Sequence, residues 1–411
     1  MPGRSRTRRW YMEKKIGLLG ALLIAAAYAP NAPARSTANL DDVLRTAVEQ
    51  RRVPGVVAMV ATADAVAYEG AFGIQKDAIF AIASMTKPVT SVAVMQLVEA
   101  GKVKLDEPAA TYLPELAAVQ VLDGGVLRTP KTPMTVRQLL THTAGFAYEF
   151  LNKELHDYAA QGKVPSVMAG GEGFMKAPLM LDPGTRWEYG INTDWLGKLV
   201  ERVSGQSLEA YFRQAIFAPL GMDDTFFNVP PDKQPRVAGV YQRTADGALA
   251  EQPRPPAKPV EFFSGGGGLH STAADYVRFA RAMMAGGRLG PRRVLTQESV
   301  AQMGRNQIGE LALHPMPSFV PQLAKDRAAM PGQPDKFGLG FALNTQPLDK
   351  GRGASTLSWA GIFNTFFWID REQKVCAVLM TQMLPFLEDG PQALVNDFDR
   401  AVYAWRARAA P

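Results

Sequence analysis

Ser84 and Lys87 lie three residues apart in "FAIASMTKPVTSVAVMQLVEAG", where an apolar helix is predicted to begin. A serine hydroxyl needs a nearby base before it can attack a carbonyl carbon. Residues three apart on a helix share a face, so the lysine amine would reach the hydroxyl. The helix N-terminus would favour the neutral amine and offer free N–H groups to a developing oxyanion. The pair therefore predicts nucleophilic acyl transfer.

A serine helix cap followed by an exposed lysine is the alternative interpretation, because this four-residue pattern fixes only two positions and is common by chance. The flanking residues favour the chemical interpretation. The stretch before Ser84 is apolar, and the following "VTSVAVMQLVEAG" is apolar on nearly every face. Lys87 would then begin a buried helix, where an amine without a task is costly.

Two further stretches carry a family resemblance together with this helix. Tyr189 precedes a predicted helix in "PGTRWEYGINTDWLG", and Gly361 lies at the entry of a predicted strand in "LSWAGIFNTFFWID". In order and spacing the three stretches resemble the motifs of serine β-lactamases and penicillin-binding proteins. The resemblance extends from about residue 40 to 405, and it is closest to the class C branch and the family VIII carboxylesterases.

The resemblance implies a role for each motif residue. Ser84 would be the acylated nucleophile and Lys87 its proton partner, while Tyr189 would carry protons between serine, leaving group and water. The backbone N–H groups of Ser84 and Ile362 would form the oxyanion hole. Gly361 would let a substrate approach the strand edge closely, because it has no side chain.

Two departures from the family pattern bear on the substrate. Trp359-Ala360-Gly361 stands where β-lactamases read Lys-Thr-Gly, which removes a cation and a hydroxyl that hold a substrate carboxylate. Asn192 lies one residue after the asparagine position of the family's Y-x-N element, and whether it fills that role stays open. Both changes favour uncharged esters over penicillins or D-Ala-D-Ala peptides, with weak β-lactam hydrolysis still allowed.

Several other residues are candidates for the site. Phe146, Tyr148 and Phe150 of "GFAYEF" are candidates to line an acyl pocket. His142 and His270 could supply a Ser-His base, but the resemblance implies a hydrolase without a catalytic histidine and favours structural hydrogen bonds for both. The glycines of "SGGGGLH" are predicted to turn the chain beside the site, since the lysine and helix of a P-loop are missing there.

The surrounding elements predict an α/β (α+β) serine β-lactamase-like fold. Strand-like runs near both chain ends and helical patterns between them suggest an antiparallel sheet built from both ends and flanked by helices. A mostly helical domain, residues 111–264, would be inserted into an α/β domain formed by residues 35–110 and 265–411. Within the insert, residues 229–260 are expected to form an irregular excursion. Residues 314–336 are a second irregular stretch, of the kind that often shapes a site.

Side-chain caps are predicted for three helices of the middle segment. Thr135, followed by Gln138, predicts a capping box. Asp194 is expected to cap the next helix, which Gly205 would end, and Ser207 to cap the one after that.

The first 34 residues predict a secretory signal. They contain six basic residues and one acidic residue and the apolar run "IGLLGALLIAAA", which is short for a membrane span. Cleavage after Ala34 would release a periplasmic or secreted bacterial protein with no stable membrane span. An uncleaved anchor is the alternative.

Charge and cysteine content exclude other classes of function. Residues 1–34 carry a net +5 of the chain's +6, so +1 remains and a nucleic-acid partner is not indicated. Cys376, the single cysteine, cannot form an internal disulfide and is expected to be buried. The four histidines show no metal-ligand spacing, and no metal or cofactor is expected.

The sequence therefore predicts a serine carboxylesterase that cleaves small to medium acyl esters through an acyl-enzyme on Ser84. A β-lactamase or D-amino-acid peptidase is one alternative, and a non-catalytic penicillin-binding sensor or adaptor is another. Retention of the serine, the lysine and the tyrosine argues against the sensor. The predicted partner is a small-molecule ester, and the oligomeric state is left open.

Overall fold

The computed structural model describes residues 38–253, 258–326 and 330–408. The predicted signal peptide, residues 1–34, lies outside these ranges, and its cleavage and the periplasmic location stay predictions. Among the helices in these ranges, none has both the length and the apolar character needed to cross a membrane.

A seven-stranded antiparallel sheet lies at the centre of the fold, in the order β11-β12-β13-β14-β15-β1-β2. Its strands come from both chain ends, as the sequence predicts. The strands of the described residues are β1 (Val56–Thr62), β2 (Val66–Phe72), β3 (Phe80–Ala81), β4 (Val121–Asp123), β5 (Val126–Arg128), β6 (Tyr241–Arg243), β7 (Leu249–Glu251), β8 (His270–Ser271), β9 (Arg288–Leu289), β10 (Arg292–Arg293), β11 (Lys336–Phe337), β12 (Ala342–Asn344), β13 (Thr356–Gly361), β14 (Thr365–Asp370), β15 (Val375–Met380) and β16 (Met383–Leu384).

Helices cover both faces of the sheet. The α-helices of the described residues are α1 (Ala38–Glu49), α2 (Thr86–Glu99), α3 (Val136–Leu140), α4 (Lys153–Ala160), α5 (Asn192–Ser204), α6 (Leu208–Phe212), α7 (Ala218–Leu220), α8 (Ala273–Met284), α9 (Gln297–Met303) and α10 (Asp389–Ala407). α6 and α7 are joined by a π-helical segment, Arg213–Phe217.

Two apolar cores lie on opposite sides of the sheet. The terminal helices α1 and α10 bury Leu44, Phe398 and Trp405 against one face. The other face carries the larger core, in which α2 packs on α5 and α8 packs on β1, β14 and β15. β1, β14 and β15 are buried on both faces, which explains their nearly unbroken apolar runs. Cys376 on β15 is fully buried, and burial raises the pKa of its thiol to about 12.

The helix starts of the middle segment confirm two of the three predicted caps. Thr135 and Gln138 form a capping box, and the Ser207 hydroxyl accepts from the backbone N–H of Ala210. Gly205 ends α5 in the left-handed conformation, as predicted. The prediction for Asp194 is wrong. α5 begins at Asn192, so Asp194 lies in its first turn, and its carboxylate binds the glycine-rich segment instead.

The irregular segments differ from expectation in one place. Residues 229–260 contain the hairpin β6–β7, which pairs with β16, because the chain leaving the central sheet offers β6 a backbone partner. Residues 314–336 are mostly irregular in their described part, and four of them, Met316, Ala324, Lys325 and Met330, line a cavity. The domain boundaries at residues 110 and 264 stay predictions.

Candidate active site

Ser84 lies in a short 3₁₀ turn, Ala83–Met85, that leads directly into α2. Ala83 has a φ of +42°, a conformation that residues with a side chain rarely adopt. Strained backbone of this kind persists where the surrounding structure enforces it, commonly at functional sites. Here it precedes the predicted nucleophile, and Ser84 lies half-buried in the wall of an apolar cavity.

Lys87 is buried to 2% exposure and contacts three oxygen atoms. Its Nζ lies 3.1 Å from Ser84 Oγ, 2.9 Å from the Tyr148 hydroxyl and 2.6 Å from the Gly266 carbonyl oxygen. Met85 occupies the N-cap position of α2, without a side-chain cap. The alternative of a serine cap and a surface lysine is therefore wrong.

The protonation state of Lys87 decides what this arrangement can do. An ammonium has three protons and would donate to all three oxygens. A neutral amine has two protons. If these donate to the Tyr148 hydroxyl and the Gly266 carbonyl oxygen, its lone pair can accept from the Ser84 hydroxyl. This contact is the one that a serine nucleophile needs with its base, and the role of Lys87 as that base stays a prediction.

Two tyrosine rings enclose the lysine amine. The ring centroid of Tyr189 lies 4.9 Å from Lys87 Nζ, and that of Tyr148 lies 5.2 Å away. The Trp359 indole N–H donates to the Tyr189 hydroxyl over 3.4 Å. Tyr189 therefore lies in the site, and its role as a proton carrier stays a prediction.

Tyr148 has a second function that the sequence did not indicate. It lines the cavity, as predicted for an acyl pocket, but its hydroxyl also binds Lys87. Burial raises the pKa of Tyr148 well above its ordinary value, so it remains a neutral phenol. An aromatic run such as "GFAYEF" carries no signal that one hydroxyl will meet a lysine 61 residues earlier.

Removing the Tyr148 hydroxyl tests this contact. In the Tyr148→Phe variant we expect kcat/KM for an ester to fall about 10-fold, because a hydrogen bond that orients the Lys87 amine is lost. Steady-state kinetics together with the melting temperature measure the effect. Tyr112→Phe is the control, since its hydroxyl binds Lys104 N and Glu107 outside the cavity. Equal activity of both variants would contradict a role for Tyr148.

Gly361 allows β13 to approach the backbone that precedes Ser84. A Cβ atom at Gly361 would lie 2.2 Å from the carbonyl oxygen of Ile82 and 2.4 Å from Thr365 Oγ1. The absence of a side chain at Gly361 thus allows close backbone packing. The family resemblance had implied that it allows close approach of a substrate. The close packing brings Ile362 to the same cavity wall as Ser84. Their N–H groups as an oxyanion hole stay a prediction.

The cavity beside Ser84 has a volume of about 320 Å³ and is mostly apolar. Of the described residues that line it, only Asp194 and the exposed Lys325 carry a formal charge. Its apolar lining is formed by Phe150, Leu151, Val167, Met168, Phe174, Phe227, Val260, Phe262, Met316, Ala324, Met330, Phe363 and Phe386. Such a cavity suits an uncharged acyl or alkyl group.

The predicted pocket residues divide into two groups. Tyr148, Trp359 and Ala360 line the cavity, whereas Phe146, Gly361 and Asn192 are not among the described residues that do. Phe146 is fully buried against Trp195. The Asn192 amide, also fully buried, donates to His142 Nδ1 over 2.9 Å, so it holds a core histidine.

His142 has a structural role. Burial, and then the nearby Lys87, hold the pKa of this imidazole well below its ordinary value, so it stays neutral. Its Nδ1 accepts from Asn192, and the side chain is not part of the cavity lining. The alternative of a Ser84–His142 base is therefore wrong. His270 does line the cavity, at the end of the glycine-rich segment.

The glycine-rich segment, residues 264–268, lies beside Ser84 as predicted. A Cβ atom at Gly265 would lie 2.7 Å from the Thr193 carbonyl oxygen, so the segment packs directly on the backbone of α5. The Thr90 hydroxyl donates to the Gly265 carbonyl oxygen over 2.7 Å. The segment thereby joins α2 to α5. The described residues contain no group of three or more histidine, cysteine or acidic side chains that could hold a metal ion.

Comparison with known families agrees with this geometry. The Beta-lactamase family profile matches residues 40–401, which is most of the chain. The chain belongs to the Beta-lactamase family. The resemblance seen in the Ser84, Tyr189 and Gly361 motifs is thereby confirmed.

Two curated members of the Beta-lactamase family indicate the branch. Monacolin J acid methylbutanoyltransferase of Aspergillus terreus is 31% identical over 427 residues, covering 94% of this chain and 99% of the relative. Lovastatin esterase of Penicillium rubens is 30% identical over 363 residues, covering 81% and 88%. This β-lactamase-like chain therefore belongs with acyltransferases and esterases.

A solved structure confirms the fold. Unliganded simvastatin synthase (LovD) from Aspergillus terreus superimposes with a TM-score of 0.76 at 30% identity, covering 91% of this chain and 98% of that one. The protein therefore has the serine β-lactamase-like fold, with an antiparallel sheet and flanking helices.

Proposed function

We propose that this protein is a serine carboxylesterase that hydrolyses small to medium acyl esters through an acyl-enzyme on Ser84. The observation that carries the proposal is the apolar cavity that opens directly on the Ser84–Lys87 contact. The acyltransferase and esterase relatives support the same chemistry.

The proposed reaction has two half-reactions. Ser84 Oγ attacks the ester carbonyl carbon while its proton passes to Lys87 Nζ, and the N–H groups of Ser84 and Ile362 hold the oxyanion. The C–O bond to the alcohol then breaks, and the leaving oxygen takes the proton that Lys87 Nζ accepted from Ser84. Water attacks the acyl-enzyme in the second half, so the acid leaves and Ser84 regains its proton.

The charge distribution supports uncharged esters over β-lactams. A penicillin or a D-Ala-D-Ala peptide brings a carboxylate that must be paired if it is buried. Trp359 occupies the position of the family's lysine, and its N–H donates to Tyr189. Lys325 is exposed, and Lys87 is occupied by three oxygens.

Substrate ranking tests this proposal. We expect kcat/KM for p-nitrophenyl butyrate to exceed that for a chromogenic cephalosporin by about 10²-fold or more, because a desolvated carboxylate lacks a partner. Steady-state assays of both substrates on one preparation measure the ratio. If the cephalosporin is turned over faster than the ester, the protein is a β-lactamase and the esterase proposal is wrong. Stoichiometric acylation without turnover would indicate a sensor.

Acyl transfer to an alcohol is a second candidate, favoured by the methylbutanoyltransferase relative that covers almost the whole chain. It shares the acyl-enzyme and differs only in the acceptor that attacks it. Adding 1-butanol to the p-nitrophenyl butyrate assay and separating the products distinguishes the two. Butyl butyrate as the main product at low alcohol concentration would assign transfer, and butyric acid would assign hydrolysis.

A further inference from the structure

Asp194 is a buried carboxylate next to the Ser84–Lys87 pair to which the family motifs assign no role. It lies in the first turn of α5, where the helix dipole favours an anion. Its Oδ1 accepts from the Ser264 hydroxyl over 2.6 Å and from the Gly266 N–H over 3.1 Å. Among the described residues, Oδ2 has no hydrogen-bond partner although it is fully buried. A buried polar atom without a partner is unusual and needs a reason.

Gly266 links this carboxylate to the lysine. The residue gives its N–H to Asp194 and its carbonyl oxygen to Lys87 Nζ. A Cβ atom at Gly266 would lie 2.3 Å from Asp194 Oδ2. Only glycine therefore lets the carboxylate lie so close to the residue that binds the lysine. The unpartnered oxygen faces the segment on which the lysine amine rests.

We infer that Asp194 is a positioning residue that acts as the counter-charge of Lys87, stabilising the ammonium that forms when Ser84 gives up its proton. The carboxylate of Asp194 and the ammonium of Lys87 are unlike charges in a buried site, where such charges interact strongly. An anion beside the amine increases its proton affinity and makes it a stronger base. The carboxylate also fixes the glycine-rich segment that holds the amine in place. This inference rests on the proposed acyl-enzyme function.

The other titratable groups around the pair do not supply this charge. Tyr148 and Tyr189 present their ring faces to the amine, and His142 is held neutral by burial. Glu149 follows Tyr148, but its carboxylate accepts from the Ser166 hydroxyl and the Val167 N–H. Burial raises the pKa of Asp194, and Lys87 is the largest influence that opposes this rise. The carboxylate and the amine are thus electrostatically linked.

The Asp194→Asn variant tests the inference, because asparagine can keep the hydrogen bonds on Oδ1 without the charge. We expect the acid limb of kcat/KM against pH for p-nitrophenyl butyrate to move to lower pH by about 1 unit, since the amine loses an opposite charge. The plateau should fall by up to about 10-fold, because the amine becomes a weaker base by about 1 pKa unit.

Two matched variants separate charge from structure. Ser264→Ala removes a hydrogen bond to the carboxylate and keeps its charge, so the acid limb should stay in place. Asp275→Asn changes a buried carboxylate on α8 that accepts in the same way, from the Asp224 N–H and the Thr225 hydroxyl. It should lower the melting temperature and leave the acid limb unmoved.

The outcomes distinguish this inference from the proposed function. If wild type shows a Ser84-dependent burst of p-nitrophenol and folded Asp194→Asn keeps the wild-type pH profile, the counter-charge role is overturned and the esterase proposal stands. The same result follows if Asp194 is protonated, because asparagine then mimics it. If wild type forms no acyl-enzyme with any ester, both proposals fail.

Discussion

Ser84→Ala is expected to reduce p-nitrophenyl butyrate turnover by about 10⁴-fold or more, because the acyl-enzyme cannot form without the hydroxyl. The side chain is half-buried, and its Oγ is hydrogen-bonded to Lys87 Nζ. Its loss should cost only about 1 kcal/mol of folding free energy. Steady-state kinetics and thermal unfolding measure the two effects separately.

Ser91→Ala is the matched control for this prediction. Ser91 lies on the same helix, and its hydroxyl donates to the Lys87 carbonyl oxygen over 2.9 Å, away from the cavity lining. Its variant should keep wild-type turnover. Intact-protein mass spectrometry with a slowly hydrolysed ester should show an acyl adduct on wild type and on Ser91→Ala alone. If the Ser84→Ala variant keeps its turnover, Ser84 is not the nucleophile.

Lys87→Met is expected to lower kcat/KM by about 10²- to 10⁴-fold, the usual contribution of a positioned proton acceptor. Methionine has nearly the length of lysine and fits a buried position, so the fold should be kept. The loss should appear in the acylation step, because that step takes the proton from Ser84. Stopped-flow measurement of the p-nitrophenol burst isolates it.

Lys87→Arg separates charge from basicity. A guanidinium keeps the positive charge but cannot accept a proton at neutral pH. If Lys87 acts as a base, this variant should be as slow as Lys87→Met. If the lysine only supplies a positive charge, Lys87→Arg should retain much of the acylation rate, and the proposed mechanism would be wrong.

Local patterns predicted the elements of this fold well. The apolar runs of β13, β14 and β15 are bounded by turn residues, and the structure forms all three as neighbouring strands. Thr135 and Ser207 cap their helices because capping depends on residues three positions apart. Asp194 fits the same rule in sequence but binds residues 264 and 266, which only the folded chain brings near.

The sequence by itself determined the chemistry of the site. Ser84 and Lys87 are neighbours on one helix, so their contact depends on local geometry alone. The replacement of the family's lysine by Trp359 is equally visible in the sequence, and it excludes a cation at that position.

Only the tertiary structure decided which groups surround this pair. The Tyr148 hydroxyl contacts Lys87 although the two residues are 61 positions apart in the sequence. The Gly266 carbonyl oxygen contacts the same lysine across 179 positions. Asn192 turns into the core toward His142, although its position in the motif suggested substrate contact. Sequence spacing fixes contacts within one helix turn, whereas contacts between α2, α5 and the glycine-rich segment depend on how whole elements pack. The contact between the proposed nucleophile and its proposed base could therefore be predicted from the sequence, and the polar groups around that contact could not.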